Sequence, residues 1–95
     1  MRMLKEPLSP SGARALLEDI LENGKVDISP HAWKEMQVDG ITIQDIFQIL
    51  RGGVVEPAEL RGGSWRYRVR QGSRFVVVTF RSETWTLVVT VWRKT

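Results

Sequence analysis

The side chains of this sequence with chemical potential are one histidine, an alternating row of arginines, and a few carboxylates and tryptophans around them. His31 is the single histidine, and the chain has no cysteine. Thiol nucleophiles, disulfides and thiolate zinc sites are thereby excluded, as is an acid–base pair of two histidines within the chain. Ser29-Pro30 places His31 in the first turn of a helix, where the positive end of the helix dipole favours the neutral imidazole, a form that can act as a base. Glu35, one turn later, stands where it could hold the ring. The other reading of His31 is local: packing or capping beside Trp33.

Arg66, Arg68 and Arg70 recur at every second position, roughly 6 to 7 Å apart on an extended strand. That interval matches successive phosphates of a single nucleic-acid strand, and the planar guanidinium fork suits phosphate. Arg61, Arg74 and Arg81 at strand ends would enlarge the basic face. The same alternation also serves a sheet that merely faces solvent. Glu56, Glu59 and Glu83 are the acids of this half, and any of them could accept a proton from a ribose 2′-hydroxyl, though no spacing singles one out. Trp92, read as sharing a strand face with Val88 and Thr90 close to a basic end, is the tryptophan best placed to stack a base. Trp33 and Trp65 are expected in the core.

Charge divides along the chain in the same sense. Residues 1–47 carry five Lys/Arg against eight Asp/Glu, whereas residues 48–95 carry nine against three, so the net +3 conceals an acidic half and a basic half. A basic surface implies an anionic partner. The 95 residues suffice for one domain, 1–95, and not for two. No apolar run approaches a membrane span, and the start of the chain lacks the pattern of a signal peptide, so a cytoplasmic protein without a membrane partner is expected.

The elements that must position these residues are marked by capping and by hydrophobic period. Ser9-Pro10 opens a helix with Ala13, Leu16, Leu17, Ile20 and Leu21 on one stripe, ended by Asn23-Gly24. Lys25 to Ile28 is a brief edge strand or an extended linker. A second helix runs from Ser29-Pro30 to about Val38, with Ala32, Trp33 and Met36 on its buried side and Gly40 as its stop. A third starts at Thr42, with Asp45 completing a capping-box pattern and Gly52-Gly53 closing it. Beyond Val54 the period becomes that of strands: a stretch from Val54 to Leu60 interrupted by Pro57, a strand Trp65 to Gln71, a type II′ hairpin turn at Gly72-Ser73, a strand Phe75 to Phe80, and a last strand Trp85 to Trp92. In the Trp65 strand, Trp65, Tyr67 and Val69 point one way and the arginines the other. The expected fold is α+β: two to three N-terminal helices packed on a three- to four-stranded antiparallel sheet.

Ser29-Pro30-His31-Ala32, Met36, Gly40-Ile41-Thr42, Asp45-Ile46, Leu50-Arg51, Gly53, Trp65-Arg66-Tyr67 and Val88-Val89-Thr90-Val91-Trp92, taken as a set, resemble the domain of unknown function 4258 family over residues 25–93. Glu35 and Asp39 depart from it, standing where arginines are usual. Family members are similar to RelE/ParE-like and BrnT-like toxins, and more distantly to the messenger-RNA interferase of a motility and quorum-sensing regulator pair. The resemblance implies a RelE-like fold and the toxin of a type II toxin–antitoxin system: an endoribonuclease acting on messenger RNA, free or on the ribosome, without metal or cofactor. Its partner would be an antitoxin protein with a zinc-finger and helix-turn-helix organisation. By the same resemblance, His31, Arg66 and Tyr67 match family positions and Arg93-Lys94 matches the interferase's basic end. Combined with the arginine row, the reading assigns catalysis to His31, Arg66, Tyr67, Arg81 and Arg93, and RNA binding to Arg61, Arg68, Arg70, Arg74, Trp92 and Lys94. The alternative is a non-catalytic module of the same fold that binds nucleic acid or protein.

Overall fold

The computed structural model describes residues 4–95. Three helices, α1 (Pro10–Asn23), α2 (Pro30–Asp39) and α3 (Ile43–Gly52), accompany six strands: β1 (Lys25–Ile28), β2 (Val54–Val55), β3 (Glu59–Arg61), β4 (Ser64–Gln71), β5 (Arg74–Ser82) and β6 (Trp85–Arg93). Each helix begins as its sequence dictates. Ser9 and Ser29 accept hydrogen bonds from the amides of Gly12 and Ala32, and Thr42 and Asp45 satisfy each other's backbone amides in a complete capping box. Gly40 ends α2 at φ +65°, a left-handed conformation that favours glycine. Among the described residues no helix is long and apolar enough to cross a membrane.

The α+β class is as expected, but the sheet is larger, with the order β1-β6-β5-β4-β2 and β3 also paired to β4. Lys25–Ile28 is a true strand, and it runs parallel to β6 rather than antiparallel. The Val54–Leu60 stretch splits at Pro57, which has no N–H for a ladder, into two short strands that both lie along β4. The β4–β5 hairpin turns at Gly72-Ser73, with positive φ at Gly72 only, the pattern of a type II′ turn.

One face of the sheet is buried beneath the helices. Tyr67, Val69, Val76, Val78, Val88 and Val91 form it and join Leu17, Ile20, Ile46, Ile49 and Leu50 in a single core. Trp33 is exposed, contrary to expectation, because Ala32 and Met36 alone fill the buried stripe of α2. Two devices fix the layers. The guanidinium of Arg14 in α1 donates to the carbonyls of Leu50, Arg51 and Gly53, which α3 leaves unpaired at its C-terminus. Gly53 itself lies so close to β4 that a Cβ there would come within 2.8 Å of the Arg70 carbonyl.

Arg14 and Gly53 together tie down the end of α3; the second device is a bulge in β6. Val77 pairs with Thr90 and Val78 with Val88, so Val89 is an extra residue. The bulge changes which residues share a face. Val88 and Val91 both turn to the helices, whereas Thr90 and Trp92 turn away, so Trp92 does not share a face with Val88 as its spacing suggests. The Val89 carbonyl accepts a hydrogen bond of 2.8 Å from the Ser29 hydroxyl, the same group that caps α2. Ser29→Ala removes both bonds, and it should lower stability by about 1 to 3 kcal/mol in denaturant unfolding, whereas Ser29→Thr should retain most of it. An alanine variant as stable as the parent would show that neither bond matters.

Candidate functional site

The sheet face away from the helices carries a cleft of about 490 Å³. Its floor crosses three strands, with Arg66 and Arg68 from β4, Val77 from β5, and Thr90 and Trp92 from β6. Its wall is the segment of Glu56, Pro57, Ala58, Glu59 and Arg61 that leads from β2 through β3. Alternation in β4 delivers the arginines, the bulge in β6 delivers Thr90 and Trp92, and Pro57 bends the wall out of the ladder.

Three guanidinium groups thus face two carboxylates. Glu56 receives Nε and Nη2 of Arg68 at 2.6 to 3.1 Å in a two-pronged pair. That hydrogen bonding, with the charges of Glu56 and Glu59, pushes the Arg68 pKa further above its ordinary value. Glu59 is held more loosely, through Oε2 alone, by Arg61 at 3.2 Å. Arg66 lies opposite Glu59 in the β3–β4 register, and its Nε is buried without a hydrogen-bond partner. A buried, charged donor left unpaired is costly unless something else supplies the acceptor. Trp92 stacks on Phe75 with ring centroids 4.8 Å apart and planes 7° from parallel, and Arg68 stands 5.9 Å from the centre of the Phe75 ring. The cleft therefore offers cations at its floor and an aromatic stack at one end.

Of the residues singled out in the sequence, Arg61, Arg66, Arg68 and Trp92 come together here. The others do not. Arg70 and Arg81 are exposed on the sheet without lining the cleft. Arg74 turns to the helix side, where it pairs with Asp45 at 3.1 Å, and with Arg93 it lines a separate shallow hollow at the hairpin end. Lys94 is exposed, its amide bonded to the Ser73 carbonyl of that hairpin. His31 is exposed on α2, and neither Glu35 nor any other described residue hydrogen-bonds its ring, so the expected positioning by Glu35 is absent. It does not line the cleft. Of the three acids between which spacing does not choose, Glu56 and Glu59 line the cleft and Glu83 does not. Gly62-Gly63, both at positive φ, form a two-residue hairpin turn, and that turn length alone would have set Glu59 opposite Arg66.

The domain of unknown function DUF4258 matches residues 28–93, a segment that runs from the end of β1 to the end of β6 and includes the whole cleft. No curated protein and no solved structure matches the chain.

The matched segment also contains Tyr67, which the structure places on the opposite face from the cleft. Its ring is fully buried against Phe80, and its hydroxyl donates to Glu6 at 2.8 Å and accepts from the Leu8 amide at 3.0 Å. It anchors the segment preceding α1 to the sheet. Burial first, and then the neighbouring Glu6 carboxylate, push its pKa up to about 12. Because the folded-state value lies above the ordinary 10.0, this contribution to stability is complete below pH 10 and is lost as pH rises towards 12. Tyr67 is the chain's one tyrosine, so tyrosinate absorbance reads it alone. Native protein should titrate near pH 12, and Tyr67→Phe should flatten the fall in stability between pH 10 and 12; titration at 10 would refute the buried placement.

Proposed function

The chain belongs to the DUF4258 family, and we propose that it is an RNA-cleaving protein of the toxin kind, with the open-face cleft as its RNA site. The observation that carries this reading is the buried, unpartnered Nε of Arg66 in a cleft that also holds Arg61, Arg68 and Trp92. Phosphate is an anion that a guanidinium fork recognises, and an aromatic stack beside it suits a nucleobase. Base, sugar and phosphate of a single strand can lie across the sheet from Trp92 towards β3. A duplex cannot present its bases in this way, so single-stranded RNA is the ligand class.

Cleavage follows from the same cations. Attack of a ribose 2′-oxygen on the neighbouring phosphorus concentrates negative charge on the phosphoryl oxygens, and fixed cations aimed at that charge stabilise it without reorganisation. Arg66 is the residue best placed for this. The resemblance to RelE-like and BrnT-like toxins enters here in support: such a protein acts on messenger RNA, free or on the ribosome, and is held in check by an antitoxin protein. The second reading is a binding module that uses the cleft without chemistry, and the position of His31 outside the cleft favours it.

Purified protein should bind single-stranded RNA, cleave it alone or on ribosomes, and arrest growth when expressed in a bacterial host. Arg66→Ala should weaken binding about tenfold or more and reduce the slope of log affinity against log salt by about 0.7, the loss of one phosphate contact. Arg81→Ala should behave as the parent. Binding without cleavage would support the module; intact RNA in both assays with undiminished growth and no binding would eliminate both readings.

A further inference from the structure

The reaction proposed above needs a group that removes the 2′-hydroxyl proton, and the structure separates the candidates. His31 is outside the cleft, on α2. Tyr67 lies on the other face of the sheet, with its hydroxyl proton held firmly. Glu83 belongs to the β5–β6 turn, which contributes nothing to the cleft lining. Two carboxylates remain, and they differ in how they are held.

Both oxygens of Glu56 accept hydrogen bonds from Arg68, so a proton taken there would break a two-pronged ion pair. Glu59 is engaged through one oxygen only, its side chain is 61% exposed, and β-pairing puts it opposite Arg66. A carboxylate on one strand therefore faces, on the next, a half-buried guanidinium whose Nε is buried and unpartnered, so that a proton acceptor and a cation for the phosphoryl charge stand side by side.

We infer that Glu59 is the proton acceptor of this site. The inference rests on the RNA-cleaving reading. In the step, Glu59 takes the proton of the 2′-hydroxyl as the 2′-oxygen forms its bond to phosphorus. Arg66 stabilises the charge on the five-coordinate phosphorus. The bond from phosphorus to the 5′-oxygen then breaks, the leaving oxygen takes a proton from water, and Glu59 returns its own proton to solvent. Glu56 acts as a positioning residue, since it fixes Arg68 and ties down the wall that carries Glu59.

The test compares the intact protein with Glu59→Gln and Glu56→Gln on a short single-stranded RNA, alongside the same RNA with one 2′-deoxy sugar at the cut position. Glu59→Gln should lower kcat/KM by about a hundredfold or more while RNA affinity and melting temperature stay near those of the parent. The parent's products should carry cyclic phosphate, and the 2′-deoxy substrate should resist. Glu59→Gln cutting at the parent's rate, or products with 5′-phosphate ends, would overturn the assignment while leaving an RNA-cleaving protein. A parent that cuts no RNA would overturn the reading beneath it as well.

Discussion

Everything distinctive about this molecule depends on the two-residue period of β4 held against a buried face. Tyr67 and Val69 are fully buried beneath the helices, and that fixes the register of the strand, because a slip of one residue would drive Arg66 and Arg68 into the core. Burying those charges unpaired would cost far more than the strand gains from pairing. The same apolar contacts that stabilise the domain therefore hold the guanidinium groups on the open face. Packing on one side of the sheet determines electrostatics on the other.

The cleft is more than an open basic surface because of two departures from regular strand geometry. Pro57 interrupts the edge ladder and turns Glu56 to Arg61 into a wall, while the extra residue Val89 rotates Thr90 and Trp92 onto the open face. Each departure is tied down chemically: the wall by the Glu56–Arg68 pair, the bulge by the Ser29 hydroxyl. Ser29 also starts α2, so one side chain sets the position of a helix and the face presented by the last strand.

Much of this was legible in the sequence, and what was not has identifiable causes. Helix ends were plain because Ser9, Ser29, Thr42 and Gly40 supply local capping that needs no tertiary contact. The alternation of Arg66 and Arg68 with Tyr67 and Val69 gave the two faces of β4. Parallel pairing of Lys25–Ile28 with β6 was hidden, since its partner lies about sixty residues away and four residues carry little pattern. The bulge at Val89 was hidden too, because the run Val88-Val89-Thr90-Val91 looks regular until its partner strand is known. Residues ranked by type alone scattered for the same reason: Arg74 answers to Asp45 at the start of α3, and His31 sits on a helix surface, neither of which follows from spacing.

The central claim is that one face of the sheet, and within it one cleft, receives RNA. Backbone amide shifts on titrating the protein with a short single-stranded RNA made uncleavable by 2′-O-methyl sugars test it most directly. The account predicts perturbations concentrated at Glu56 to Arg61, Arg66, Arg68, Val77, Thr90 and Trp92, with α1 and α3 silent. Perturbations centred on Arg74 and Arg93 at the hairpin end, or on α2 around His31, with the cleft unchanged, would contradict it.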